Sequence, residues 1–395
     1  MNRAEALELY RSLPLPDTSM EAWRFTDLRG FDPDSFGENG HAVGSDPGSD
    51  PGSDPGAGRD MLEIDVAGSA RAGSDGVEIV HAPDGIEFAP LPEDHERLGA
   101  LVGADDKFTA HNAASWRAGL LVRVPKGVEL EQPLYVRVAG DGGSAHFWRL
   151  LVVAEEGSRF SVIEEYAGES GYSNGAVELF VEQGAKLEYV SLQNLAKETW
   201  HFATHRASVA RDAELDWVAG GFGSRKGKIR IHNDLAGQGA TSRVTGAYFA
   251  DGTQHLDYDT FQQHHAPSTT SDFAFKGVLR EEASVVWRGM IRVEEDAQKT
   301  NAYQENRNLI LSPDAHADSI PGLEILANDV RCTHGATISQ VDREQLFYAM
   351  SRGLTRGDAE RLIVRGFFQD VLDRIELAPV RDALADALEA RIPRT

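Results

Sequence analysis

Gly157-Ser-Arg-Phe-Ser-Val162 and Gly184-Ala-Lys-Leu-Glu-Tyr189 each begin with a small residue and then alternate polar with apolar side chains. Asp212-Ala-Glu-Leu-Asp-Trp217 repeats the pattern, and Gly239-Ala-Thr-Ser-Arg-Val244 carries a weaker copy. The starting positions 157, 184, 212 and 239 are separated by 27, 28 and 27 residues. Glu282-Ala-Ser-Val-Val-Trp287 and Asp314-Ala-His-Ala-Asp-Ser319 continue the theme at longer intervals. Alternation is the period of a half-buried strand. A repeat of roughly 20–50 residues made of short strands predicts a solenoid. With small-residue turns and no helical period, the natural closure is a parallel β-helix. An ordinary sandwich with evenly spaced strands is the alternative.

Beyond Asp342 the spacing of apolar residues changes from two to three and four. Leu346, Phe347, Met350, Leu362, Ile363, Phe367, Val371, Leu372 and Ile375 recur in this way, the signature of amphipathic helices. Thr355 with Asp358 reads as an N-terminal cap. Pro379 interrupts the pattern before a last helix over Val380–Ile392. At the other end, residues 3–13 predict a short helix stopped by Pro14 and Pro16, and Trp23, Phe25 and Leu28 are expected to dock it on the body. The segment 37–59, with its repeated Gly-Ser-Asp-Pro, cannot bury a core and reads as a flexible linker. Strand-like runs at Leu62–Val66 and Val77–Val80 and a helix over Glu93–Leu101 are expected next, then a strand Leu120–Val124. The predicted fold is mainly β, a parallel β-helix (solenoid) core over 119–341. A helical segment 1–36, the linker and a mixed α/β segment 60–118 precede it, and a helical domain 342–395 follows.

Candidate chemistry concentrates near the end of the repeats. Apolar and polar residues alternate from Leu323 to Val330. If the strand continues, Cys332 and His334 share a face about 7 Å apart. A thiolate beside an imidazole can hold iron, copper or zinc, or act as an activated nucleophile. A lone Cys can equally be a small buried hydrophobe. His255, His264 and His265 form a second group, but adjacent strand residues face opposite ways, so a turn before Pro267 is the preferred reading. Gly221-Phe-Gly-Ser-Arg-Lys-Gly-Lys228 lacks the first Gly and the hydroxyl of a phosphate-binding loop. No HExxH, paired Cys or Ser-His-Asp order is present, which argues against an independent enzyme.

The 395 residues with 41% hydrophobic content support a large folded core. A net charge of −24 argues against nucleic acid as a partner. No apolar run approaches the roughly 20 residues of a membrane span. A single Cys is expected in a reducing cytoplasm. It also cannot supply a four-Cys cluster site, so cluster chemistry would borrow ligands from a partner.

Gln298-Lys-Thr-Asn-Ala-Tyr-Gln-Glu-Asn-Arg-Asn-Leu-Ile-Leu-Ser312, Pro321-Gly-Leu-Glu-Ile325 and Asp329-Val-Arg-Cys-Thr-His-Gly-Ala-Thr337 closely resemble the SufB/SufD family of iron–sulfur cluster assembly proteins. The resemblance extends to His264-His-Ala-Pro-Ser-Thr-Thr-Ser271, Gln345-Leu-Phe-Tyr348, Ser351-Arg-Gly-Leu354 and Ile363-Val-Arg-Gly-Phe367. Gly335 after His334, and Glu21-Ala-Trp-Arg-Phe-Thr-Asp27, are most similar to the SufD branch. The resemblance implies a parallel β-helix core and a non-catalytic scaffold subunit that pairs with a SufB-like partner, or with itself when alone. It also implies that a SufC-like ABC-type ATPase binds the C-terminal helices, with Leu362, Ile363, Phe367, Val371 and Leu372 as its seat. His334 would be a ligand and Cys332 an accessory thiol for a transient iron–sulfur cluster shared with the partner. A reduced flavin in the complex is left open. A SufB-like homodimeric scaffold is the rival within the family. From another class, a carbohydrate-active β-helix enzyme would need paired carboxylates on one strand face and a secretion signal, which this sequence lacks.

Overall fold

The computed structural model describes residues 1–36, 61–62, 64–140, 143–168 and 171–392. The expected linker at 37–59 lies outside the described residues. Among the described residues, strands alternate between two sheets, one of ten strands and one of nine. Successive coils stack in parallel register: Glu214 pairs with Lys186 on one side and with Thr241 on the other. The parallel β-helix expected from the 27-residue period is therefore the fold.

A column of left-handed residues sets the coil. Gly127, Gly157, Gly184, Asp212, Gly239, Ser268 and Lys299 all have φ between 54° and 75°. Each N–H donates to a carbonyl of the following coil; that of Gly184 reaches Arg211 O at 2.9 Å and that of Lys299 reaches Asp329 O at 2.6 Å. Glycine takes this conformation without steric cost, so the first coils are visible in sequence. Ser268 and Lys299 take it with a side chain and hide the later ones. Glu282 and Asp314, expected to continue the same column, instead precede Ser284–Val293 and His316–Ile325 in the other sheet.

The lumen is filled by inward rows from both sheets, including the fully buried Trp148, Trp217 and Trp287. Outer faces are covered as well, which is why Ala145–Ala154 is buried along its whole length. The nine-stranded sheet is covered by an aromatic layer from the preceding segments, Trp23, Phe31 and Phe108, packed on Phe147 and Phe202 of the sheet itself. Two helices contribute, α1 (Arg3–Ser12) and α2 (Lys107–Ser115), each with a capping box, from Asn2 and Asp106. Trp23 and Leu28 dock as expected, and Phe25 is half-buried. The docking is polar too: Thr26 donates to Asp257 at 2.5 Å, and Lys228 donates to the same oxygen at 2.5 Å.

Two local expectations are corrected. The expected strand Leu62–Val66 is not seen at residues 62 and 64–66; the first strand among the described residues is Gly68–Gly73, which already pairs in parallel with Leu134–Gly140. The solenoid sheets thus begin inside the segment expected to be mixed. Glu93–Leu101 forms turns rather than a helix. Its amides have another acceptor, because the buried Glu178 carboxylate takes the N–H groups of Gly99, Leu101 and Val102 at 2.8, 2.7 and 3.1 Å.

Among the described residues, three helices follow the last strand: α3 (Arg343–Ser351), α4 (Arg356–Leu372) and α5 (Ala378–Ala390). Thr355 caps α4, its hydroxyl accepting from Asp358 N. Both α4 and α5 lie on the outer face of the ten-stranded sheet, with Phe368, Val371, Leu384 and Leu388 against Val190, Leu192, Phe222 and Phe249. Polar ties hold this contact. The buried Lys276 donates to Phe367 O at 2.6 Å and pairs with Asp370, and Arg374 reaches Asp272 at 3.2 Å.

Candidate functional site

The last coil consists of His316–Ile325 at the end of the nine-stranded sheet and Arg331–Gln340 at the end of the ten-stranded sheet. Each pairs on one side only among the described residues, so the other side is an open edge that can accept another strand. The inward row of Arg331–Gln340 contains Cys332, His334, Ala336 and Ile338, set opposite Ala302, Gln304, Asn306 and Asn308 of the previous coil. Cys332 and His334 thus share one row at the open end, but the alternating stretch Leu323 to Val330 is not one strand with them: residues 326–330 turn the corner between the two sheets.

Their surroundings differ. Cys332 is half-buried against Ile291, Val293, Ala297 and Ala302. Burial pushes its thiol above the ordinary value, partly opposed by a hydrogen bond with the Ala302 backbone. The neutral thiol is thereby favoured over the nucleophilic thiolate. His334 is exposed, so its imidazole is accessible from outside the chain. Behind it, the buried Gln304 donates to Gly289 O at 3.2 Å and Gly322 O at 3.0 Å, bracing the two sheets just inside the opening. Among the described residues, no three His, Cys, Asp or Glu side chains stand close enough together to hold a metal ion. Cys332 and His334 therefore do not complete a metal site with other described residues of this chain. Ile320, Leu323, Ile325, Leu326 and Ile338 are exposed around them, an apolar frame left uncovered because no further coil stacks on this end among the described residues.

The second histidine group is structural. His264 is buried, with Nδ1 at 2.7 Å from the Thr269 hydroxyl and Nε2 at 2.9 Å from that of Ser271. His255 is held between Ser284 and Thr26. His265 points elsewhere, 3.5 Å from Asp234.

The helical stripe divides. Val371 and Leu372 are buried against the sheet, and Ile363 and Phe367 are half-buried at the same contact. Of the five, only Leu362 stands in solvent. The larger free apolar surface is on α3 and its following turn, where Phe347, Tyr348, Met350 and Leu354 are exposed; Phe347 is 74% accessible. Phe347 and Met350 were visible as helical positions, but only the packing shows that α3 buries little more than Ala349.

Fold and site together define a β-solenoid that presents an imidazole and a thiol at an open sheet end. The chain belongs to the SufBD family of iron–sulfur cluster assembly proteins. Residues 136–367 match the family model described as "SUF system FeS cluster assembly, SufBD core domain". The chain is 31% identical over 337 residues to an iron–sulfur cluster assembly SufBD family protein of Mycobacterium tuberculosis, covering 83% of this chain and 85% of that one. The corresponding protein of Mycobacterium leprae is 29% identical over 325 residues, covering 80% and 83%. One from Staphylococcus saprophyticus is 32% identical over 272 residues, covering 67% and 58%. None of the described helices is long and apolar enough to cross a membrane.

Proposed function

We propose that this chain is a SufD-like scaffold subunit that joins a SufB-like partner end to end through its open coil and carries an ABC-type ATPase on its C-terminal helices. The observation that carries this reading is the placing of Cys332 and His334 in one row of a terminal strand whose outer edge is open among the described residues and framed by exposed apolar side chains. Edge-to-edge addition of a second solenoid would satisfy the free backbone groups and bury the frame. The nascent iron–sulfur cluster, the cargo of the complex, would then receive His334 as a ligand from this side and its remaining donors from the partner. Cys332, half-buried and held as a thiol, fits an accessory role. The exposed Phe347, Tyr348, Met350, Leu354 and Leu362 suit the ATPase contact, while Val371 and Leu372 anchor α4 to the solenoid. Co-expression with the neighbouring genes, followed by an inventory of co-purifying subunits, tests the reading. A stable homodimer that holds a full cluster per chain after anaerobic reconstitution would replace it with the SufB-like alternative.

A further inference from the structure

Arg149 lies on the outer face of Ala145–Ala154, beneath α1 and α2, and is only 3% exposed. Its Nε donates to Asn112 Oδ1 at 2.8 Å. Asn112 is itself oriented, because its amide nitrogen donates to Trp148 O at 3.2 Å and Asn174 O at 2.9 Å. The guanidinium is therefore fixed in direction. Its nearest counter-ion, Glu178, stands at 3.8 Å, beyond hydrogen-bond reach. Both Glu178 oxygens are already taken by the backbone amides of Gly99, Leu101 and Val102. Glu178 thus offsets the charge of Arg149 without occupying its donors. Burial lowers the Arg149 pKa to about 10, so the group stays cationic at neutral pH.

The terminal nitrogens of Arg149 make no hydrogen bond to described residues. The side chain lines a cavity of about 330 Å³, together with Arg3, Trp116, Leu98 and Val102. Arg3 stacks over the Trp116 ring at 5.1 Å and binds Glu93 through one terminal nitrogen at 2.7 Å, while its Nε is buried without a partner. Two guanidinium groups with unused donors therefore converge on one cavity. Guanidinium nitrogens can only donate, so the missing partners are acceptors. A fixed planar fork matches the two oxygens of a carboxylate or phosphate. Glu93 is neutralised by Arg3, and Asp94 stands exposed at the rim. A cavity of this volume, with an apolar wall from Trp116 and Leu98, accommodates a small organic anion.

We propose that this cavity is a binding site for a small oxyanion, held bidentately by Arg149 and secondarily by Arg3. It lies on the N-terminal side of the solenoid, apart from the Cys332–His334 end, and does not depend on the scaffold role. The test is calorimetric titration of the full chain with inorganic phosphate and with malonate at pH 7.5, against chloride at matched ionic strength. Saturable one-to-one binding of either probe is expected, and the tighter of the two identifies the oxyanion chemistry. Arg149→Lys, which keeps the charge but loses the fork, should weaken binding at least tenfold. Arg3→Gln should weaken it about threefold. Should Arg149→Lys fail to fold, Arg3→Gln decides, since Arg3 is partly exposed and its surface ion pair contributes little to stability. Absence of saturable heat, or equal affinity in wild type and every folded variant, overturns the proposal.

Discussion

Acidification should unfold this protein through its buried histidines. Desolvation lowers His201 and His205 to about 3 and His111, His255 and His264 to about 4, and lowers His232 as well. In the unfolded chain each titrates near 6.5. Between those values the unfolded state binds more protons, so stability falls as pH drops from about 6.5 towards 4. At pH 5 each of these imidazoles costs about 2 kcal/mol, and the six together about 12 kcal/mol. Glu188 works in the opposite direction. Burial and the neighbouring Asp216 raise its pKa to about 7, so its folded form gains protons before its unfolded form and returns up to about 3 kcal/mol by pH 5. Burial also raises the Glu164 and Asp216 carboxyls, which offset a further part; a remaining loss of several kcal/mol is large against a total stability of roughly 5–15 kcal/mol. Urea unfolding followed by tryptophan fluorescence at half-unit steps from pH 7.5 to 5 measures it. His205 stacks on Trp217 with an interplanar angle of 11°, so His205→Phe keeps the packing and should recover about 2 kcal/mol at pH 5. A stability at pH 5 within about 2 kcal/mol of the neutral value would refute the reasoning.

Glu178→Gln strips the counter-charge from buried Arg149 and weakens the acceptors of three backbone amides. It should cost about 3–5 kcal/mol by chemical denaturation. Lys276→Met removes the tie from the sheet to Phe367 O and Asp370; a loss of about 1–3 kcal/mol should appear first as protease cleavage within the C-terminal helices. Phe347→Asp, at an exposed position, should leave thermal stability unchanged and abolish ATPase association. Phe367→Asp should impair the seating of α4 as well, detectable as a lower melting temperature.

How much of this was readable beforehand depended on what each residue advertises. Turns built on Gly157, Gly184 and Gly239 disclosed the coil because glycine marks a left-handed backbone. Ser268 and Lys299 adopt the same conformation under the compulsion of the stacked coils, and nothing local signals it. Cys332 and His334 share a row because residues two apart on a strand face the same way, but the corner at 326–330 that precedes their strand was not visible in the alternation from Leu323 to Val330. The Glu93–Leu101 turns were hidden because their organiser, Glu178, lies far away in sequence and takes amides that a helix would have used. Periodicity located the apolar positions of α4 but not their neighbours, so Val371 could not be told from Leu362. The Arg149 cavity was also beyond reach, because α1, the 93–103 turns and Ala145–Ala154 meet only in the folded chain.

The scaffold reading rests on His334, and the measurement closest to it is cluster yield in the assembled complex. His334 is exposed on a terminal strand, and each coil is held mainly by its neighbours. His334→Ala should therefore preserve partner binding and melting temperature. Iron content and charge-transfer absorbance of the anaerobically purified complex should fall well below wild type, with a milder fall for Cys332→Ala. Wild-type cluster yield from the His334→Ala complex would contradict the assignment and leave this row of the open coil a purely structural feature.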